Sequence, residues 1–300
     1  MSGGSEEFPA ERSRRVLREI RGVRPETPVL ETPAFAGSAP AGESERFEEP
    51  PADFSLAEGG LSAEAWVLCR SDEAVGGLWP ALTAAGTRGG SGPKVLATFA
   101  PSSAGAPLAD LAAFAALPGW VVGAPADAES TGAAVGAAAR HVGPVYLRLP
   151  AGKGPTLSDG SFGFGHAPLL RPGGDITVVG VGPALRLARE LAERLDRVGV
   201  QARLLDGASV KPADVPAYVR AARETGALLT VEEHPVLGGL GSVVASATSA
   251  AHPAFVRRVG FPDLPARPPA GGVVPVGYGP TIERLEEEAW ELLRAKGKVQ

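Results

Sequence analysis

The sequence predicts two α/β domains in series. Three observations carry this. From Trp66 onward, short apolar runs of strand length alternate with helix-length segments, the spacing that favours parallel sheets with right-handed crossovers. Residues 151–174 are rich in Gly, Pro and Ser, the composition of a linker. A chain of 300 residues, 44% hydrophobic and 21% charged, has room for two cores.

Taken in order, Met1–Pro9 reads as a loose terminus. Ala10–Val23 places Val16, Leu17, Ile20 and Val23 on one helical face. Pro28–Glu31 is a short strand, and residues 32–62, dominated by Pro, Gly, Ala, Ser and Glu, form a long surface loop. Trp66–Cys69 is a strand, Arg70-Ser71-Asp72 a turn, and Ala74–Ala85 a helix closed by Gly86. Lys94–Phe99 (strand), Pro107–Ala116 (helix), Gly119–Gly123 (strand), Asp127–His141 (helix) and Pro144–Leu149 (strand) complete a domain over residues 1–150.

The second domain, residues 175–300, is more regular. Strands are expected at Ile176–Val181, Gln201–Asp206, Ala227–Glu232 and Val256–Gly260. Helices are expected at Pro183–Val198, Pro212–Thr225, about Leu240–Ala250 and Thr281–Ala295.

A net charge of -5 and a pI near 5.5 argue against a nucleic-acid or anionic-membrane surface. Cys69 is the only cysteine, so neither a disulfide framework nor a cysteine metal site is expected. The first residues carry no basic and apolar leader pattern, and a cytoplasmic protein is expected.

By spacing alone no self-sufficient active site stands out. Gly180-Val-Gly182 follows a strand, but Leu185 stands where the dinucleotide fingerprint needs a small residue, so a tight turn is the better reading. Gly238-Gly-Leu-Gly-Ser242 resembles a phosphate cradle but lacks the Lys-Ser/Thr of a P-loop. The four histidines lie without metal-ligand spacing, and Ser242 sits in no nucleophile elbow. Glu73, at a strand-to-helix junction, is either a helix-start acid favoured by the macrodipole or a carboxylate projecting from the sheet edge.

Three segments resemble the carboxyl-terminal domain of the transketolase family: Gly174-Asp-Ile-Thr-Val-Val-Gly-Val-Gly182, Leu205-Asp-Gly-Ala-Ser-Val-Lys-Pro-Ala-Asp214 and Thr230-Val-Glu-Glu-His-Pro-Val-Leu-Gly-Gly-Leu-Gly-Ser242. Upstream, residues 117–129 and Pro144-Val-Tyr-Leu-Arg-Leu149 resemble the end of the family's pyrimidine-binding domain. The family's first domain, which grips the diphosphate of thiamine diphosphate through Mg²⁺, has no counterpart here. The resemblance therefore implies the carboxyl-terminal subunit of a split, divergent transketolase, with a shortened pyrimidine-binding-like domain followed by a transketolase carboxyl-terminal-like domain. It would work as a heterodimer or α₂β₂ assembly with an amino-terminal subunit that supplies the Mg²⁺ and diphosphate site.

Under this resemblance Glu73 falls on the catalytic glutamate, which shares a proton with the aminopyrimidine ring of thiamine diphosphate. Glu58, in Leu-Ala-Glu-Gly-Gly, is a second candidate, farther from Thr98-Phe99 than the family spacing allows. Phe99 matches an aromatic that packs on the pyrimidine; core packing is an equal alternative.

The family's long segment between Phe99 and Asp110, with its substrate-binding histidine and aspartate, is replaced by ten residues, 100–109. Ala151 stands where a phosphate-binding arginine is common, with Lys153 nearby. The implied activity is transfer of a two-carbon ketol unit from a ketose donor to an aldehyde acceptor, with a specialised pathway such as secondary metabolism expected. The alternatives are a non-catalytic structural partner, or a subunit like the β chain of a 2-oxo acid dehydrogenase first component, which passes its two-carbon unit to a carrier.

Overall fold

The computed structural model describes residues 8–23, 29–32, 65–87, 90, 92–98, 109–152, 154–263 and 279–297, with side chains left undescribed at 20–23 and Asp72. Two sheets organise it. The first has the order β1-β2-β3-β5-β4-β9, from Val29–Glu31, Trp66–Arg70, Lys94–Thr98, Val145–Leu149, Val121–Gly123 and Ser209–Lys211. The second has the order β11-β10-β7-β8-β6, from Phe255–Phe261, Ala227–Pro235, Ile176–Val181, Ala202–Asp206 and Leu169–Arg171. Pairing is parallel except where β9 joins β4 and β6 joins β8.

Continuous apolar runs such as Val67-Leu68-Cys69 follow from sheets covered on both faces. Alternate residues of β2 and β5 point to opposite sides. Trp66, Leu68, Leu147 and Leu149 pack with Leu17 of helix α1 (Pro9–Val23) and with Ala134, Val135 and Ala138 of α5 (Ala128–Arg140). Val67, Cys69 and Tyr146 face the other way, into a core shared with Val179, Val181 and Leu228 of the second sheet. Helices α3 (Trp79–Thr87), α4 (Asp110–Ala116), α7 (Val215–Thr225) and α8 (Leu240–Ala251) also line this shared core. A third core lies between the far face of the second sheet and helices α6 (Leu185–Arg197) and α9 (Ile282–Ala295).

Five expectations change. Helix α1 begins at Pro9, inside the stretch expected to be loose, because proline's missing N–H costs nothing in a first helical turn. The stretch expected as a linker contributes β6, and Ser209–Lys211, for which no strand was expected, adds β9 to the first sheet.

The helix expected over Ala74–Ala85 is two helices, α2 (Ser71–Val75) and α3. Gly76 and Gly77 favour helix weakly, and Pro80 has no N–H to return to Gly76, so the first helix stops after five residues.

Gly86 does not close a helix; it lies within α3. A Cβ there would come 2.7 Å from Cε2 of Trp120, a ring that is itself buried, so glycine permits this close approach. Gly86→Ala is expected to cost about 1–3 kcal/mol as an overpacked contact, read by urea unfolding followed through tryptophan fluorescence.

Candidate functional site

The carboxyl ends of β1, β2 and β3 lie side by side, because the register pairs Glu31 with Leu68 and Arg70 with Thr98. In open α/β sheets this edge is where ligands bind. Three polar residues stand at this edge. Thr32 follows β1, Glu73 sits at the third position of α2 directly after β2, and Thr98 ends β3.

The carboxylate of Glu73 folds back on its own helix start. Its Oε2 accepts the backbone N–H of Arg70 at 2.8 Å and the hydroxyl of Thr32 at 2.7 Å. Its Oε1 accepts no hydrogen bond among the described residues. The two oxygens of this group thus differ: Oε2 caps the helix, and Oε1 carries no hydrogen bond among the described residues. Thr98, 3% exposed, carries a hydroxyl without a hydrogen-bond partner among the described residues. Glu58, Phe99, Lys153 and the connection from 100 to 108 lie outside the described residues.

Behind this edge is a buried polar group that sequence reasoning missed. Asp110, the first residue of α4, is fully buried; it accepts a hydrogen bond from the Tyr146 hydroxyl at 2.6 Å and an ion pair from Arg148 at 3.1 Å. Burial raises the Asp110 carboxyl against the pull of Arg148 and Tyr146, and burial with the adjacent carboxylate holds Tyr146 protonated. The rings of Phe114 and Tyr146 stack with centroids 4.0 Å apart. Tyr146 and Arg148, two apart on β5, share one face, so a charge within an apolar strand is the one signal of this group in the sequence.

Residues of the later half of the chain hold α4 at both ends. The backbone N–H of Ala112 donates to His234 Nε2 at 3.3 Å, while His234 Nδ1 bonds the Pro235 carbonyl at 2.9 Å. Lys211 donates to the carbonyls of Ala115 at 2.9 Å and Leu117 at 2.5 Å. Burial, with the charge of Arg148, pushes the imidazole of His234 down to about 4 and keeps it neutral, as the accepting nitrogen requires.

The Gly238–Ser242 turn is no phosphate cradle. Glu232 fills it, its Oε2 accepting from the N–H of Leu240 at 2.8 Å and its Oε1 from that of Gly241 at 2.7 Å. Glycines at 239 and 241 leave room for this carboxylate: Cβ atoms there would lie 2.8 Å from Glu232 Cδ and 2.7 Å from Oε1. At Gly180–Gly182 the tight turn holds, since a Cβ on Gly180 would meet the Cα of Leu185 at 2.6 Å.

Asp206, at the end of β8, is 1% exposed. Its Oδ1 accepts from the N–H of Ala208 at 3.0 Å, and its Oδ2 has no partner among the described residues. Burial raises this carboxyl to about 7. A raised acid binds protons in the folded state that the unfolded chain has released, so its contribution to stability falls as pH rises from about 4 to 7. Asp206→Asn does not titrate. Its stability relative to wild type is expected to climb over that window by at most about 1.4 kcal/mol per pH unit, measured by urea unfolding at pH 5 and 7.5.

No helix among the described residues is long and apolar enough to cross a membrane. Comparison with known proteins shows what the chain is similar to. The family profile "Transketolase, C-terminal domain" matches residues 165–293. An apulose-4-phosphate transketolase subunit of Phocaeicola vulgatus is 38% identical over 159 residues, 52% of this chain and 51% of that protein. A 6-deoxy-6-sulfo-D-fructose transketolase subunit of a Clostridium species is 36% identical over 183 residues, 60% of this chain and 56% of that one. The chain thus spans about half the length of these curated relatives. A solved structure described as "Split gene transketolase, inactive beta4 tetramer" superposes with a TM-score of 0.81 at 29% identity, covering 95% of this chain and 98% of that one. The transketolase family generally uses thiamine diphosphate. Residues 165–293 thus carry the transketolase carboxyl-terminal domain, and over nearly its whole length the chain is similar in fold to a split-gene transketolase.

Proposed function

We propose that this chain is the carboxyl-terminal subunit of a thiamine-diphosphate-dependent enzyme that transfers a two-carbon ketol unit, active only with a separate subunit holding the diphosphate and Mg²⁺. The observation that carries this reading is Glu73. It stands at the carboxyl edge of three parallel strands, with Oε2 committed to Arg70 and Thr32 and Oε1 open. The unpartnered hydroxyl of Thr98 ends the next strand. A carboxylate oxygen and a hydroxyl on one sheet edge suit the polar rim of an aminopyrimidine.

The cofactor, when bound, supplies the electron sink for breaking and making the carbon–carbon bond. The residues of this chain bind and orient it. Glu73 takes the ring edge through Oε1 and holds or releases a proton there. Phe99, next after Thr98, is the proposed aromatic against the ring, and Glu58 is the second candidate for the acid. Ala151 offers no charge where a phosphate-binding arginine is common, so a ketose other than the ordinary pentose phosphates is proposed as donor.

The relatives named as subunits, and the split-gene neighbour described as an inactive tetramer, support a requirement for an amino-terminal partner. The test is to mix the purified chain with a diphosphate-binding transketolase subunit, thiamine diphosphate and Mg²⁺, then measure complex mass and ketol transfer. A stable complex that turns over only when both chains are present is expected. Tight cofactor binding by this chain alone contradicts the shared site, and turnover that depends on an added acyl carrier favours the 2-oxo acid dehydrogenase-like reading. The helix cap made by Glu73 favours one further reading, a structural partner, and a complex that forms without turnover supports it.

A further inference from the structure

Glu73 does not hold its position by local structure alone. Of the two donors on its Oε2, one is 41 residues away in sequence, the hydroxyl of Thr32 at 2.7 Å. Thr32 is fixed in turn. Its backbone N–H donates to the Leu68 carbonyl at 2.8 Å, extending the β1–β2 ladder by one rung. The preceding residue, Glu31, is 1% exposed and pairs with the buried guanidinium of Arg14 on α1, whose Nε lies 3.1 Å from Oε1 of Glu31. A buried, hydrogen-bonded ion pair therefore anchors β1 and presents the Thr32 hydroxyl to Glu73.

We propose that Thr32 is a positioning residue for Glu73: by donating to Oε2 it fixes the carboxylate plane and leaves Oε1 as the oxygen that meets the ligand and carries the exchangeable proton. This rests on the reading of Glu73 given above. With two donors on Oε2, negative charge is favoured on that oxygen and a proton on the other. With the Arg70 N–H as sole donor, the carboxyl can rotate about its last torsion, a broad and soft one, and the two oxygens exchange roles. The inference adds to a catalytic acid the residue that decides which of its oxygens reacts.

Thr32→Val keeps the branched shape that suits a strand end and replaces the hydroxyl by a methyl group; Thr32→Ser keeps the hydroxyl. In the chain reconstituted with its diphosphate-binding subunit, Thr32→Val is expected to lower kcat about tenfold, the effect of losing one hydrogen bond that orients the reacting group, with KM for the ketol donor unchanged. Thr32→Ser is expected to restore kcat. A second readout needs no cofactor: in the isolated chain, hydrogen exchange at the Arg70 amide, which also bonds Glu73 Oε2, is expected to accelerate in Thr32→Val and not in Thr32→Ser.

Wild-type kcat in Thr32→Val overturns the proposal, as does failure of Thr32→Ser to rescue it or unchanged Arg70 exchange in Thr32→Val. Glu73→Gln separates this failure from that of the underlying reading. If Glu73→Gln turns over fully, the assignment of Glu73 falls and this inference with it. If Glu73→Gln is inactive while Thr32→Val is unimpaired, only the role of Thr32 falls.

Discussion

Reconstituted with its diphosphate-binding subunit, the Glu73→Gln chain is expected to lose two to four orders of magnitude in kcat, roughly the range for removing a positioned general acid–base. The substitution is informative because it spares the fold. The amide oxygen of glutamine can take the place of Oε2, accepting from the N–H of Arg70 and the hydroxyl of Thr32 as before. What is lost is the ability of the other position to hold and release a proton, since an amide does not titrate near neutral pH. Urea unfolding of the isolated variant is therefore expected to match wild type within about 0.5 kcal/mol. Glu73→Ala removes the cap as well and is expected to cost about 1 kcal/mol. If kcat and stability both remain at wild-type level in Glu73→Gln, the carboxylate is a helix cap only and the assignment of Glu73 as the acid falls.

The largest expected effect on stability lies at Arg148. Arg148→Met removes the guanidinium that pairs with Asp110, leaving a fully buried carboxylate with the Tyr146 hydroxyl as its one remaining side-chain donor among the described residues. Breaking a buried pair in this way costs about 3–5 kcal/mol, because the surviving charge keeps its desolvation penalty. Burial already raises the Asp110 carboxyl, and loss of the cation raises it further. The penalty is thus expected to be smaller at pH 5, where the orphaned acid takes up a proton, than at pH 8. Replacing both partners by apolar residues, Asp110→Leu with Arg148→Met, is expected to recover part of the loss. Urea unfolding of the single and double variants at the two pH values checks these outcomes. Equal stability of Arg148→Met and wild type at pH 8 would show the pair to be dispensable.

The fate of individual predictions has physical causes. The expected strands and helices of the second half recur close to their expected bounds, since each shows the period of its own buried face: Leu185, Ala188, Leu191, Ala192 and Leu195 line one side of α6. The chain is harder to read where glycine does more than punctuate. Gly86, expected as a helix end, instead admits the ring of Trp120 across the shared core, a contact 34 residues along the chain. The glycines at 239 and 241, expected as a possible anion cradle, make room for the carboxylate of Glu232. In both cases the residue type signals a close approach, and only packing identifies what approaches.

Local pattern and motif are enough to establish an α/β chain, a second half that resembles the transketolase carboxyl-terminal domain, and a Glu73 that stands where a strand gives way to a helix. Which atoms act on Glu73 is a matter of neighbours in space. Thr32 reaches Oε2 because β1 lies beside β2, although residues 33–64 intervene in the chain. The same holds for the core that the two sheets share, and for His234 and Lys211, which hold the ends of α4 from far along the chain. No periodicity encodes such contacts. They arise when buried polar groups must find partners, and those partners are chosen by which strands and helices the fold sets side by side.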